Sequence, residues 1–299
     1  MPNDRPTDGD PPPNLPTVGV IGLGAIGDGV AKSVLRGGLP LVVCDVRAEA
    51  TAAYADTAAV ASSPADLVRR SDVVVVAVVN DEQVRAVLSG PDGGLAAADE
   101  TTTFIVVSTI STPCVQEIGA EASDLGVAVL DCGVTGGPDA AASGDLVCMV
   151  GGDPDVIERV RPVTDVISSL TVTMGTFGTG LAAKLARNLI TYGSWLAAYE
   201  GQQLAEAAGI SLSKLAEVVK ASDVHVGGAS RLMFRPTVAP FTEDDHPGLV
   251  GAMQAGASLA HKDLAAALEL AESLNVELPL AAMTERRTDE IFGLGGAST

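Results

Sequence analysis

Positive charge and long apolar runs are both scarce in this sequence. Its 299 residues include 18 Lys and Arg against 38 Asp and Glu, which gives a formal net charge of −20. Because nucleic acids and anionic membrane surfaces are bound through basic faces, this balance argues against both as partners. No apolar run approaches the roughly 18 residues that a membrane-spanning helix needs. We therefore expect small molecules to be the ligands of this protein.

Motifs for metal binding, disulfide exchange and serine hydrolysis are also missing. The sequence has no Cys-x-x-Cys, no His-Glu-x-x-His and no Gly-x-Ser-x-Gly, and three of its four cysteines lie in apolar or strand-like surroundings. We predict a metal-free protein with buried, unpaired cysteines. Residues 1–16 contain six Pro and no apolar stretch. This composition predicts a disordered tail rather than a signal peptide, and a cytoplasmic protein.

Short apolar runs alternate with amphipathic stretches from Thr17 to about Gly175. This alternation predicts an α/β fold in which helices cover both faces of a parallel sheet. The predicted helices include Ala25–Arg36, Pro64–Arg70 and Pro113–Leu125. The predicted strands are Thr17–Gly22, Leu41–Asp45, Val73–Val79, Phe104–Ser108, Val127–Asp131, Leu146–Gly151 and Thr171–Met174.

The composition changes after Gly178, where Ala, Leu and Glu dominate. A long helix is predicted at Leu181–Ala208, which contains no Pro. The three Pro of Arg235–Gly248 predict a loop. Further helices are predicted at Leu212–Ala221, Ser258–Leu274 and Leu280–Phe292.

A glycine-rich turn joins the first predicted strand to the first predicted helix. In a dinucleotide-binding turn the first glycine permits the tight bend, the second lets a pyrophosphate approach, and the third lets helix and strand pack closely. The helix N-terminus then offers N–H groups to the phosphates. The predicted cofactor contacts here are Gly22, Leu23, Gly24, Ala25, Ile26 and Gly27.

These features together predict an N-terminal Rossmann-type parallel sheet domain followed by an all-helical C-terminal domain. We place the dinucleotide-binding domain at residues 17–177 and a helical domain for substrate binding and dimerisation at residues 178–299. Asp45, at the end of the second strand, would bind the adenosine ribose and repel a 2′-phosphate, which favours NAD. Arg47 could clasp that phosphate, so NADP remains the alternative.

Four further segments with motif-like sequences follow the glycine loop along the chain: Ser108–Ser111, Asp131–Gly137, Gly178–Asn188 and His261–Leu264. With that loop, they resemble the β-hydroxyacid dehydrogenases, the group of 3-hydroxyisobutyrate dehydrogenase. The resemblance implies hydride transfer between a nicotinamide cofactor and a 3-hydroxy acid or semialdehyde. It also implies that Ser108 and Thr109 lie beside the nicotinamide, and that Lys262 lies near cofactor and substrate.

The residue types in these segments suit that chemistry. Lys184 and Asn188 are four residues apart on a predicted helix, so both project from one face. A lysine can give a proton to a carbonyl oxygen or take one from a hydroxyl group, and only five lysines occur in the chain. We therefore predict Lys184 as the general acid–base and Asn188 as its catalytic partner. A hydroxyl group and close backbone N–H groups suit a substrate carboxylate, which we assign to Thr135, Gly136 and Gly137.

Three departures from the family pattern bear on the substrate. Cys132-Gly133 stands where Ala-Pro is usual and is expected to loosen the loop before the substrate turn. Thr135 replaces Ser, and Arg187 stands where a first Asn is common. These changes point to a substrate other than 3-hydroxyisobutyrate, including a larger one.

Two alternatives remain at this point. An imine reductase would share the two-domain layout, but Lys184 argues against it because those enzymes replace the lysine. A non-catalytic dinucleotide-binding module would have no need of Lys184 and Asn188 together. A decarboxylating sugar-phosphate dehydrogenase needs a longer helical region than this chain has. The apolar helices after Gly178 also predict a homo-oligomer, most simply a dimer.

Overall fold

A computed structural model describes residues 15–90, 93–228, 232–235 and 237–295. The predicted disordered tail spans residues 1–16, and residues 1–14 of it lie outside these ranges. The chain divides into two compact units, one ending at Arg187 and the other beginning at Asn188. The predicted domain boundary between residues 177 and 178 falls just before a long helix, whereas the two units divide within that helix. That boundary therefore stays a prediction.

The first unit is built on an eight-stranded sheet with the strand order β3-β2-β1-β4-β5-β6-β7-β8. The strands are β1 (Val18–Ile21), β2 (Leu41–Cys44), β3 (Ala59–Val60), β4 (Val73–Val76), β5 (Thr103–Val106), β6 (Ala128–Thr135), β7 (Leu146–Gly151) and β8 (Ser168–Gly175). The predicted α/β sheet is confirmed, and the short edge strand β3 is the one that periodicity missed.

The direction of β7 corrects the expectation of a uniformly parallel sheet. Strands β6 and β7 pair antiparallel, while the other neighbouring strands pair parallel. The connection from Thr135 to Leu146 is too short for a parallel crossover, which needs a dozen or more residues. The chain therefore turns back through one short helix.

Helices cover both faces of this sheet, as predicted. Alternate residues of β4 enter different cores: Val73 and Val75 face one apolar cluster, and Val74 and Val76 face the other. A strand buried on both sides must be apolar at every position, which explains its run of valines. The helices are α1 (Ala25–Arg36), α2 (Ala48–Ala52), α3 (Pro64–Val68), α4 (Asp81–Leu88), α5 (Thr112–Leu125), α6 (Gly137–Ser143), α7 (Pro154–Arg159) and α8 (Arg161–Ile167).

The second unit is helical, as predicted, with different boundaries. Its helices are α9 (Thr179–Ala207), whose first turns belong to the first unit, α10 (Leu212–Val226), α11 (Pro247–Ser273), α12 (Pro279–Arg286) and α13 (Thr288–Ile291). Helix α11 begins at Pro247 rather than Ser258, because Pro is favoured in a first turn and His246 caps the helix through Gly248 N–H. The predicted helix Leu280–Phe292 is two helices. Within the described ranges, no helix is long and apolar enough to cross a membrane.

Candidate active site

The strand order creates a crevice at the carboxyl ends of β1 and β4. From β1 the chain runs outward to β2 and β3, and it then returns to β4 on the other side of β1. Ligands of open α/β sheets bind in the crevice at such a reversal. The predicted cofactor turn after β1 lies there, and so does the segment Ala77–Asn80 after β4, which sequence reasoning missed.

The three glycines of the turn differ in what surrounds their Cβ positions. Gly22 has a φ of +89°, and a Cβ there would lie 2.6 Å from the Ala77 carbonyl oxygen. A Cβ on Gly27 would lie 1.8 Å from the Gly22 carbonyl oxygen, so α1 packs directly on the turn. Gly24, which precedes α1, has open space around its Cβ position. This arrangement fits a dinucleotide whose pyrophosphate approaches Gly24 and the first turn of α1.

Other predicted cofactor residues of the first unit are placed differently. Leu23 is buried and Ile26 is partly buried against the core, and contacts of either residue with a cofactor stay predictions. The Ser108 hydroxyl accepts a hydrogen bond from Val78 N–H at 2.9 Å and donates to the Val76 carbonyl oxygen at 3.3 Å. Ser108 therefore ties together the ends of β4 and β5. Thr109 is exposed, and contacts of either residue with a nicotinamide stay predictions.

The Asp45 carboxylate is surrounded by hydrogen-bond donors. It accepts from Leu23 N–H at 2.6 Å and from Arg47 N–H at 2.8 Å. The Arg47 guanidinium donates to the same carboxylate at 3.1 Å and to the Leu23 carbonyl oxygen at 3.0 Å. Burial would raise the pKa of Asp45, but these hydrogen bonds outweigh it and lower the pKa. Asp45 is therefore an ionised anchor of the glycine turn, and Arg47 is its ion-pair partner.

Lys184 lies where the first turns of α9 meet β6. It is half-buried, and its Nζ donates a hydrogen bond to the Val134 carbonyl oxygen at 2.5 Å. Burial, with a smaller effect of Arg187, lowers the pKa of Lys184 below that of a free lysine. The expected loosening at Cys132-Gly133 is wrong: both residues lie in β6, and a Cβ on Gly133 would be 2.4 Å from the Lys184 Cβ. Glycine there allows the close approach.

The predicted substrate turn directly follows this contact. Strand β6 ends at Thr135, and Gly136 and Gly137 have φ values of +125° and +78°, which favour glycine. Helix α6 then packs on α1, where the Ser33 hydroxyl donates to the Ala141 carbonyl oxygen at 2.6 Å. The candidate substrate turn is thereby anchored to α1, the helix that begins at the glycine turn.

The remaining predicted residues belong to the second unit. Asn188 follows Lys184 by one turn of α9. Lys262 lies on α11, where its ammonium group is exposed and pairs with Asp263 at 3.3 Å. The roles assigned to Asn188 and Lys262 stay predictions. Over the described ranges, no group of three or more His, Cys, Asp or Glu residues is arranged to hold a metal ion.

The fold and this crevice define a Rossmann-type unit of the dinucleotide-binding class, which is followed by a helical unit. Residues 17–178 match the family described as the NAD-binding domain of 6-phosphogluconate dehydrogenase. Residues 178–298 match the family described as NAD-binding of NADP-dependent 3-hydroxyisobutyrate dehydrogenase. The chain belongs to the β-hydroxyacid dehydrogenase family.

Individual relatives agree with this membership. The chain is 37% identical over 276 residues to an uncharacterized oxidoreductase of Mycobacterium tuberculosis, covering 92% of each chain. It is 33% identical to L-threonate dehydrogenase of Cupriavidus necator, over 89% of this chain and 86% of that one. A crystal structure from Mycobacterium avium, described as an oxidoreductase, superposes with a TM-score of 0.84 at 32% identity, covering 94% and 99% of the two chains.

Imine reductases share the fold. One from Myxococcus stipitatus superposes with a TM-score of 0.74 at 21% identity, covering 92% of this chain and 93% of that one. That structure contains NAD⁺, and a second structure of a Myxococcus stipitatus imine reductase contains NADP⁺. At this identity the likeness shows the fold alone.

Alanine at two positions of the glycine turn should separate folding from cofactor binding. Gly24→Ala should leave the Tm of the unliganded protein unchanged, because the added Cβ meets open space. It should still weaken dinucleotide binding by about tenfold or more, roughly 1.4 kcal/mol, because it blocks the pyrophosphate. Gly27→Ala should lower both the Tm and the affinity. Thermal denaturation and a fluorescence titration with NAD and NADP measure both effects. An unchanged affinity in Gly24→Ala would place the pyrophosphate elsewhere.

Proposed function

We propose that this protein is an NAD-preferring dehydrogenase that transfers a hydride between the nicotinamide and a 3-hydroxy acid or the corresponding semialdehyde, with Lys184 as general acid–base. The observation that carries the proposal is the half-buried Lys184 ammonium group, which donates to the Val134 carbonyl oxygen beside the turn Thr135–Gly137. The bound nicotinamide would supply or accept the hydride. The protein's own groups would bind the acid and move the proton.

The substrate carboxylate is assigned to the turn between β6 and α6. The Thr135 hydroxyl can donate to a carboxylate, and the left-handed backbone at Gly136 and Gly137 lets N–H groups face an anion. Relatives named L-threonate dehydrogenase and 3-hydroxyisobutyrate dehydrogenase act, by name, on hydroxy acids. Threonate is larger than 3-hydroxyisobutyrate and richer in hydroxyl groups, so the class includes substrates larger than the latter.

Lys184 has the properties that a general acid–base requires. In reduction its ammonium group would protonate the carbonyl oxygen as the hydride arrives, and in oxidation its amine would take the hydroxyl proton. The lowered pKa increases the fraction of neutral amine near pH 7, which favours the second role. Asn188, one turn later, would orient the substrate hydroxyl by hydrogen bonding.

Removing the Lys184 amine should abolish most turnover without affecting cofactor binding. Lys184→Ala should lower kcat by about 10²–10⁴-fold, roughly 3–5 kcal/mol of transition-state stabilisation. The dinucleotide Kd should stay unchanged because the glycine turn is intact. Lys184→Arg should rescue little, since a guanidinium cannot serve as a base. Steady-state kinetics on a panel of 3-hydroxy acids, with a parallel titration of NAD, measures both quantities.

The matched control is Lys214→Ala, which removes an exposed lysine from α10 and should leave kcat unchanged. A loss of less than a few-fold in Lys184→Ala would contradict the assignment. Reduction of cyclic imines, but not of semialdehydes, would favour the imine reductase instead. Absence of any turnover, with NAD bound normally, would favour the non-catalytic module.

The proposed preference for NAD follows from the Asp45 carboxylate, which comes directly after β2. The Arg47 guanidinium limits this preference. An ionised Asp45 repels a 2′-phosphate, but the Arg47 guanidinium 3.1 Å away partly offsets its charge. The two side chains therefore act in opposite directions on cofactor choice. Helix α2 begins after Arg47, so this pair occupies the edge of the crevice.

Single substitutions of this pair should shift cofactor preference in opposite senses. Arg47→Ala should raise the ratio of kcat/KM for NAD to that for NADP by about 3- to 5-fold, because it removes a half-exposed guanidinium that offsets the Asp45 charge, an effect worth up to about 1 kcal/mol. Asp45→Ala should lower the same ratio and also the Tm, since Leu23 N–H loses its acceptor. Arg70→Ala removes an exposed arginine of another ion pair and is the control. A change of the same sign in both variants would refute the model of opposing charges.

The second unit supports the proposal of a homodimer. Its buried apolar residues, within the described ranges, are Ala205, Ala257, Ala271 and Leu278, which is little core for a helical domain. Large apolar side chains instead form an exposed stripe at spacings of three and four residues along its part of α9: Leu189, Tyr192, Leu196 and Tyr199. A second copy of this chain is the simplest partner that would cover this stripe.

A charge in the stripe should produce a monomer. The wild-type protein should have twice the mass of one chain by light scattering at micromolar concentration. Leu189→Asp should halve that mass, because an unpaired carboxylate in an apolar interface is unfavourable. Val218→Asp, at an exposed site on α10, should remain a dimer. A wild-type monomer would contradict the proposal.

A further inference from the structure

A carboxylate fully buried in β6 contacts the start of the helix that carries Lys184. Asp131 accepts hydrogen bonds from Gly178 N–H and from Leu181 N–H, each at 2.6 Å. Burial raises the pKa of Asp131, although its backbone hydrogen bonds oppose the rise. The first N–H groups of a helix have no partner within the helix, and two N–H groups at the start of α9 donate to Asp131. Asp131 is therefore a helix cap provided by a neighbouring strand rather than by the chain just before the helix.

Two glycines bring the helix close enough for this contact. A Cβ on Gly180 would lie 2.4 Å from the Met149 carbonyl oxygen and 2.6 Å from the Asp131 carbonyl oxygen. A Cβ on Gly151 would lie 2.3 Å from the Asp131 Oδ1. The first turn of α9 thus lies directly on the backbones of β6 and β7. No side chain separates them, so the carboxylate has little room to move.

The same strand holds the next turn of the helix. Three residues after Asp131, the Val134 carbonyl oxygen accepts the hydrogen bond from the Lys184 ammonium group. We propose that Asp131 is a positioning residue which, by holding the first turn of α9 on β6, places the Lys184 ammonium group at the substrate turn. The inference rests on the proposed role of Lys184, and Asp131 itself touches neither substrate nor cofactor.

The isosteric variant Asp131→Asn tests this directly. Its amide oxygen can still accept one N–H, but its NH₂ group would face the other N–H, so one hydrogen bond is lost without creating a cavity. A displacement of about 1 Å can cost about 10²-fold in rate. We expect kcat to fall by about 10- to 100-fold, with KM and the dinucleotide Kd little changed. Wild-type kcat would overturn the proposal.

The matched control is Asp153→Asn. Asp153 caps α7 by accepting from the N–H groups of Asp155 and Val156, and that helix carries no candidate site residue. This variant should lower the Tm and leave kcat unchanged. A loss of kcat equal to that of Asp131→Asn would show that any weakened cap lowers activity, which contradicts a specific role.

A double-mutant cycle separates positioning from a general structural defect. If Asp131 acts through Lys184, adding Asp131→Asn to Lys184→Ala should not reduce the residual kcat further. An equal reduction in both backgrounds would overturn the inference. If Lys184→Ala alone keeps wild-type kcat, the proposed function fails. If Asp131→Asn keeps wild-type kcat and Lys184→Ala does not, the proposed function stands and this inference alone fails.

If Asp131→Asn does not fold, two further measurements test the proposal. Gly180→Ala displaces the same helical turn without changing Asp131 or Lys184, and it should lower kcat with the dinucleotide Kd unchanged. In the wild-type holoenzyme, the Gly178 and Leu181 amides should exchange with deuterium as slowly as the amides of the sheet. Rapid exchange of these two amides would show that the carboxylate does not hold the turn, which overturns the proposal.

Discussion

The first turns of α9 lie directly on the backbone of β6, and the candidate site depends on this contact. Gly133 and Gly180 make it sterically possible, and each loses more conformational entropy on folding than another residue would. Hydrogen bonds to Asp131 and burial of Leu181 in the adjoining core offset that loss. The lysine of α9 is thereby held at the end of the strand that continues into the candidate substrate turn.

A second set of close contacts joins the turn after Thr135, the candidate substrate turn, to the glycine turn before α1. A Cβ on Gly29 of α1 would lie 2.5 Å from the Ala141 Cβ of α6, and the Ser33 hydroxyl bonds to the Ala141 carbonyl oxygen. Rigid packing of this kind lets a site hold its geometry before ligands bind. Local effects also set the charge of Lys184. Burial and Arg187 lower its pKa. The net charge of −20 does not reverse this direction, because solvent screens distant surface acids.

Much of the fold could be predicted because the strongest sequence patterns depend only on residues that are close together in the chain. The valine run of β4 and the glycine turn before α1 each lie within a few consecutive residues, and both are where the pattern placed them. Weaker signals failed. The two residues of β3 are too few to show a period, and the glycines near the start of α11 concealed a helix that begins at Pro247 after the capping His246. The reversal of β7 depends on the length of the connection between β6 and β7. The residue pattern did not reveal that length.

For the candidate site, the sequence by itself determined the residue types: the glycines of the cofactor turn, the lysine on a helix, and the two glycines after Thr135. Only the tertiary structure decided how these residues are arranged. It showed that Gly133 belongs to a strand against Lys184, that the Ser108 hydroxyl bonds within the sheet, and that Ala77–Asn80 shares the crevice. The physical reason is distance along the chain. Local patterns reach across one turn or one strand, whereas the bonds from Asp131 and Val134 to α9 join residues 47 to 50 positions apart.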